Sequence, residues 1–156
     1  MTAIPAPSAA NHATAARVAR LAGALSLLAV GIDHIEQYNV DSYSSIPTIG
    51  TLFALNFAVA MPTALGLLVP IRRLAGRWAN AALALLALNG VGIAAGSLAG
   101  LFISEGGGLF GFTEHGYRLA IVLAIVFEVG ATVGLTSFLA LNGLGVQRRD
   151  GRLVPR

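Results

Sequence analysis

Residues 117–141 read YRLAIVLAIVFEVGATVGLTSFLAL, an almost wholly apolar stretch with one carboxylate, Glu128, near its centre. A helix of about 20 apolar residues is long enough to cross the hydrocarbon of a bilayer. A charged side chain at that depth costs about 3 kcal/mol or more unless other groups compensate it. We therefore expect this stretch to span a membrane and Glu128 to face protein.

The composition of the whole chain points to the same class. Of its 156 residues, 56% are hydrophobic and 11% are charged, whereas soluble domains carry about 25% charged residues. A small water-soluble domain could not bury so much apolar surface. The absence of cysteine excludes thiolate metal sites and cysteine nucleophiles. The dispersed arginines, without interleaved aromatic residues, argue against nucleic-acid binding.

Four apolar stretches predict an all-α membrane protein, with spans at about 18–38, 47–69, 78–103 and 114–142. Short connections place consecutive helices antiparallel, which predicts an up-down-up-down four-helix bundle over residues 15–145. Residues 1–14 are expected to form a flexible tail. Residues 146–156 form a basic tail whose end, LVPR at 153–156, matches half of a thrombin site and is interpreted as a cloning remnant.

The arginines predict the orientation of the bundle. Eight of them fall on one side of the four predicted spans and Arg118 alone on the other; the eight are Arg17, Arg20, Arg72, Arg73, Arg77, Arg148, Arg149 and Arg152. Basic loops stay on the cytoplasmic side of a membrane. Both termini are therefore expected in the cytoplasm. The use of arginine without lysine, in a chain rich in alanine and glycine, suggests the plasma membrane of a GC-rich bacterium.

A first group of polar residues is expected near the middle of the membrane. Asn56, Asn89 and Glu128 lie near the centres of three spans. Eleven residues at about 100° each would return Tyr117 to the face of Glu128. We predict that these four residues form a buried polar relay. With no basic residue expected at this depth, Glu128 should be neutral at rest. It would link helices, move protons or ions, or orient a ligand.

A second polar group is expected at the outer ends of the spans. His34 ends the first predicted span, and Glu114 and His115 begin the fourth, with Asp33 and Glu36 nearby. These five residues are the candidate metal or ligand site. Imidazole and carboxylate ligands suit Zn²⁺, Mn²⁺ or Fe²⁺. Haem b held by the two histidines is an alternative, and simple contact with water and lipid headgroups is another.

Glycines at four-residue spacing suggest where helices approach one another. Gly92, Gly96 and Gly100 lie along the third span, and Gly130 and Gly134 along the fourth. Small residues at this spacing let helix backbones come close. The favoured interpretation is packing inside the bundle. Formation of a homo-oligomer through Gly92, Gly96 and Gly100 is the alternative.

Three short segments are similar to a known group of proteins. They are RVARL at 17–21, GIDH at 31–34 and IGTLF at 49–53. With their order along four spans, the chain resembles small DoxX-like four-span bacterial membrane proteins. The resemblance implies the topology of the chain and no particular biochemistry.

The leading hypothesis is a small integral inner-membrane protein with a transport role. It would bind a metal ion or small ligand at its extracytoplasmic face, above the relay that moves protons or ions. A non-catalytic accessory or assembly subunit of a larger membrane complex is one alternative. A bis-histidine haem electron carrier is another. No arrangement of catalytic residues is recognisable, so an enzyme is less expected than a binding protein.

Overall fold

The structure, a computed structural model, describes residues 9–150. Nearly all of this part is helical. The helices are α1 (Ala9–Val40), α2 (Pro47–Leu68), the short α3 (Ile71–Leu74), α4 (Ala79–Gly107) and α5 (Leu119–Asp150), with 3₁₀ turns at Tyr43–Ser45 and Gly76–Trp78. The described residues contain no β-strand, and one isolated bridge joins Leu109 to Phe112.

Four helical segments are long and apolar enough to cross a membrane. They are Ala10–Val40, Pro47–Leu68, Gly76–Gly107 and Leu119–Gly143. Many large apolar side chains on their outer faces, such as Leu85, Val126 and Val133, are exposed. Such surfaces are costly in water and suit a lipid environment. The predicted all-helical class, with four helices long and apolar enough to span a membrane, is confirmed.

The last long helix begins later than the sequence suggests. The fourth span was predicted from residue 114, whereas α5 begins at Leu119. Gly116 has a φ of +83°. This left-handed conformation does not fit an α-helix, and glycine adopts it at little cost. The backbone N–H of Glu114 donates to the Ser104 hydroxyl of α4 at 2.9 Å. Residues 108–118 therefore form a loop held against the end of α4.

The four long helices pack in the cyclic order α1, α2, α4, α5, so that each lies between two neighbours. Their shared core is built mainly from leucine and alanine. Its largest fully buried members include Leu27, Leu67, Leu83 and Leu135. Because these side chains come from all four helices, one continuous apolar core joins the bundle.

Glycines bring α1 and α5 into close contact. A Cβ added to Gly134 would lie 2.7 Å from the Cα of Gly23, and one added to Gly130 would lie 2.8 Å from Ser26 Oγ. By contrast, a Cβ on Gly92 or Gly96 would meet nothing within 4 Å. The prediction of internal packing is confirmed for Gly130 and Gly134, whereas Gly92 and Gly96 make no such contact and Gly100 faces only the side chain of Leu109, at 3.6 Å. The role of these three α4 glycines in a homo-oligomer stays a prediction.

Candidate ligand-binding site

A buried polar centre joins three helices. His34 of α1 lies with its Nε2 atom 2.9 Å from Ser97 Oγ of α4 and 3.9 Å from Glu128 Oε1 of α5. His34 and Glu128 are 5% and 1% exposed. The Ser97 side chain also interacts with the Glu128 carboxyl group. The serine hydroxyl therefore bridges an imidazole and a carboxyl group that are too far apart to bond directly.

The surroundings of His34 assign its tautomer. Its Nδ1 atom lies 2.9 Å from the carbonyl oxygen of Val30. A carbonyl oxygen can only accept, so Nδ1 carries a hydrogen and donates it. In the neutral ring the lone pair is then on Nε2, the atom that faces Ser97. The basic nitrogen of His34 thus points towards Glu128.

This arrangement can hold one proton in two places. With the proton on Glu128, the carboxyl group donates to Ser97 and the serine hydroxyl donates to His34 Nε2. With the proton on His34, the direction of both hydrogen bonds is reversed. Both states have no net charge, but the second is a buried ion pair in which both charges are desolvated. The geometry therefore supports proton transfer between helices α1 and α5.

The structure corrects the predicted surroundings of His34. The sequence suggested that the first span ends near this residue and that no basic group lies near Glu128. Helix α1 ends at Val40, close to the predicted end at residue 38, but the polar side chains of its last turns find partners inside the bundle. His34 bonds to Ser97, and Gln37 donates to Asp33 at 2.6 Å. The two polar groups that the sequence placed separately thus meet at His34 and Glu128.

The two buried asparagines have different roles. Asn56 Nδ2 donates to Ser97 Oγ at 3.3 Å, which connects α2 to the polar centre. Asn89 Nδ2 donates instead to Thr63 Oγ1 at 2.7 Å, and Thr63 in turn donates to the Val59 carbonyl oxygen at 2.7 Å. Asn56 therefore joins the predicted relay through Ser97, while Asn89 forms a separate link between α2 and α4.

Tyr117 does not belong to the buried relay. It precedes α5, so the shared helix face predicted for it and Glu128 does not exist. The side chain is 62% exposed, and its hydroxyl donates to Glu105 Oε2 at 3.0 Å. This hydrogen bond raises the pKa of Tyr117.

The predicted outer group is divided between different environments. Asp33 is buried against Gln37, whereas Glu36 on the same helix is exposed. His115 is exposed in the loop before α5, with its Nδ1 atom 2.9 Å from the Thr113 carbonyl oxygen. Within residues 9–150, no group of three or more His, Asp or Glu side chains is arranged to hold a metal ion. The structure therefore gives no support to a metal site. Of the two histidines that the haem hypothesis requires, His34 is buried in the bundle and His115 is exposed in a loop.

Glu114 takes part in a different cluster, which secures the loop before α5. The buried Tyr43 donates its hydroxyl hydrogen to Glu114 and accepts a hydrogen bond from Arg118. Arg118 also lies 3.0 Å from Asp41 Oδ2. Burial and the hydrogen bond to Glu114 raise the pKa of Tyr43. These contacts fasten the loop to the connection between α1 and α2.

A cavity of about 570 Å³ extends between α2 and α4 down to the polar centre. Most of its wall is apolar, from side chains such as Leu52, Leu55, Val59 and Ile93. Its polar wall contains the following side chains: His34, Gln37, Asn56, Ser97, Ser104, Glu114 and Glu128. Gly92, Gly96 and Gly100 also line it. Because these glycines lack side chains, they provide much of its width.

Two members of this site were not singled out from the sequence. Ser97 links three of the helices, and Gln37 holds Asp33. Signals for both were present. Ser97 is one of few polar residues inside an apolar helix, and Gln37 lies four residues after Asp33, on the same face of α1. Serine, however, is common inside membrane helices, where it bonds to its own backbone.

No protein family model, curated protein sequence or solved structure matches this chain.

Proposed function

We propose that this protein binds a small, largely apolar molecule within the membrane, in the cavity between α2 and α4. One observation carries the proposal: an apolar cavity ends at the buried centre formed by His34, Ser97 and Glu128. Small-molecule sites typically have about 300–1,000 Å³ of space, mostly apolar walls and a few converging polar groups. The cavity has all three properties.

The polar centre would orient the ligand and exchange a proton with it. A ligand group that reaches Glu128 competes for the proton shared with His34 through Ser97. The buried carboxyl group can give that proton to the ligand or keep it. Among the roles predicted for the polar relay, the geometry thus favours proton exchange. Asn56 contributes to it through its hydrogen bond to Ser97.

The proposal includes the threading of the chain. The bundle runs up, down, up and down through a bacterial plasma membrane, with both termini in the cytoplasm. Short connections between the long helices and the one-sided distribution of arginine support this arrangement. The cavity then lies beside lipid, from which an apolar ligand can enter between α2 and α4.

Closing the cavity tests the proposed function. Gly96→Leu adds a side chain at a position where a Cβ meets nothing within 4 Å and which lines the cavity. Gly106→Leu is the matched control, because it adds the same side chain to open space on the same helix away from the cavity. The probe is phenylbutanol, which combines an apolar body with one hydroxyl group. Its binding to protein in lipid nanodiscs is measured by calorimetry.

We expect binding to the unmodified protein and to Gly106→Leu. Gly96→Leu should bind at least about 10-fold more weakly, equivalent to about 1.4 kcal/mol. Equal binding to all three proteins, or no binding to any, would overturn the proposed function. Circular dichroism of each variant verifies that the helices are formed.

A further inference from the structure

Three buried oxygen atoms around the cavity have no hydrogen-bond partner in the described part of the chain. They are Gln37 Oε1, Asn56 Oδ1 and Glu128 Oε2. All three residues line the cavity, and Gln37 and Glu128 are each 1% exposed. A buried polar atom without a partner costs about 1–3 kcal/mol. A ligand that brings hydrogen-bond donors to this wall would remove that cost.

The charges of the cavity wall favour one sign of ligand. Glu114 and Glu128 line it, whereas no arginine is among the described residues that do. Arg118 is engaged nearby with Tyr43 and Asp41. His34 already directs its Nδ1 hydrogen to Val30. An anionic headgroup would therefore meet carboxyl groups and acceptor oxygens without a cation to balance it.

Aromatic rings in the same wall also favour a cation. Tyr43, Phe53 and Phe112 line the cavity. The Tyr43 and Phe53 rings are stacked with centroids 4.6 Å apart, and the Tyr43 and Phe112 rings meet edge to face at 5.6 Å. Ring faces attract cationic groups, and Arg118 already lies over the Tyr43 ring, 5.2 Å from its centroid, so the rings left for a ligand are Phe53 and Phe112. This feature is independent of the unpaired oxygens.

We infer that the ligand is a hydrophobic amine, held with its nitrogen at Glu128 and its apolar body between α2 and α4. This inference rests on the proposed function and names its ligand class. An ammonium group has several donors and no acceptor, which matches a wall of acceptors. Its hydrogen bonds to a carboxylate are about twice as strong as neutral ones.

The amine reaches the site from lipid as the neutral base. At Glu128 the carboxyl O–H bond breaks and a new N–H bond forms. The electron pair of that bond comes from the amine nitrogen, and the carboxyl oxygen keeps the pair of the broken one. The products are an ammonium ion and a carboxylate in contact, with no net charge added to the bilayer interior. Ser97 can then donate its hydroxyl hydrogen to the carboxylate.

A series of probes with one body and three headgroups tests the inference. Phenylbutylamine, phenylbutanol and phenylbutyrate are titrated into the protein in nanodiscs of uncharged lipid, so that lipid charge does not bias the result. Each is measured with the unmodified protein, with Glu128→Gln and with Glu36→Gln. The last is the control, because Glu36 is an exposed carboxyl group on α1 that does not line the cavity.

We expect the amine to bind at least about 10-fold more tightly than the alcohol, and the acid to bind most weakly. Glu128→Gln should reduce the preference for the amine to less than about 3-fold while the alcohol still binds. Glu36→Gln should keep the full preference.

Equal binding of amine and alcohol, or an unchanged preference in Glu128→Gln, would overturn the inference. If the alcohol binds in a manner that Gly96→Leu abolishes but the amine is not preferred, only the amine inference fails. If none of the three probes binds, the proposed function fails with it.

Discussion

His34 Nε2 and Glu128 Oε1 lie 3.9 Å apart between α1 and α5, each inside an apolar helix long enough to span a membrane. The distance exceeds that of a hydrogen bond, and the Ser97 hydroxyl completes the connection. An isolated carboxylate at such a position would be costly. Beside His34 it becomes one half of a pair that can hold its proton on either member.

The two predicted histidine ligands should differ sharply when replaced. His34→Ala removes hydrogen bonds to Val30 and Ser97 and leaves a space in the bundle. We expect it to lower the free energy of unfolding by about 2 kcal/mol or more. His115→Ala removes an exposed loop side chain and should change that free energy by less than about 0.5 kcal/mol. Unfolding in mixed detergent micelles measures both; equal losses would contradict the difference in their settings.

Substitutions of the glycines of α4 and α5 should also differ in their effect on stability. Gly134→Ala would bring a Cβ to 2.7 Å from the backbone of Gly23, which must separate α1 from α5 at a cost of about 1–3 kcal/mol. Gly92→Ala meets only open space and should leave stability unchanged or slightly higher. Thermal unfolding of the two variants in one detergent compares them. A larger loss for Gly92→Ala would show that α4 packs at that position.

Tyr43 should make the stability of the protein depend on alkaline pH. Burial and the bond to Glu114 raise the pKa of its hydroxyl above the ordinary value of 10.0. The folded state therefore holds this proton at a pH where the unfolded state releases it. The resulting stabilisation is complete below about pH 10 and is lost as the pH rises towards the folded pKa.

Ultraviolet titration of tyrosinate absorbance measures this effect. One tyrosine should titrate later than the others, and Tyr43→Phe should remove that late step and flatten the decline in stability above pH 10. Tyr117→Phe is the comparison, because the hydrogen bond to Glu105 also raises the pKa of Tyr117 but its side chain is exposed, so the latest titration step should remain in this variant. A late step that persists in Tyr43→Phe would assign it to another residue.

The proposed orientation can be tested directly because the chain has no cysteine. A single cysteine at Ala75, between α2 and α4, should react only with reagents that reach the cytoplasm. One at Gly111, between α4 and α5, should react with impermeant maleimide added to intact cells. The reverse pattern would show that the bundle has the opposite orientation. Labelling of both cysteines from one side of the membrane would exclude the up-down arrangement.

The class of the fold could be predicted from the sequence because long apolar stretches leave few alternatives. The start of α5 could not. Residues 114–118 were predicted to form the first turn of the helix, but Glu114 bonds to Tyr43 and Ser104, and Gly116 adopts a left-handed conformation. Those partners lie far away in the sequence, so no local pattern indicates them.

The candidate site could be predicted only in part, because its residues also lie far apart in the sequence. The cost of burying Glu128 indicated that polar partners exist, and Asn56 is connected to it through Ser97. Which polar residue lies nearest to Glu128 depends on how each helix is turned about its own axis. His34 occupies that place because the contact between Gly23 and Gly134 lets α1 and α5 approach closely. Residue spacing within one helix contains no information about that rotation.

The glycines that widen the cavity have a consequence for how such a chain can change. At positions 92 and 96 an added Cβ atom meets nothing within 4 Å, so alanine there would narrow the cavity without pushing the four helices apart. For the proposed ligand site, this means that selectivity for ligand size can evolve by single substitutions that do not disturb the fold. Few proteins can change ligand selectivity separately from folding in this way. In a densely packed interior, each added methyl group disturbs its neighbours.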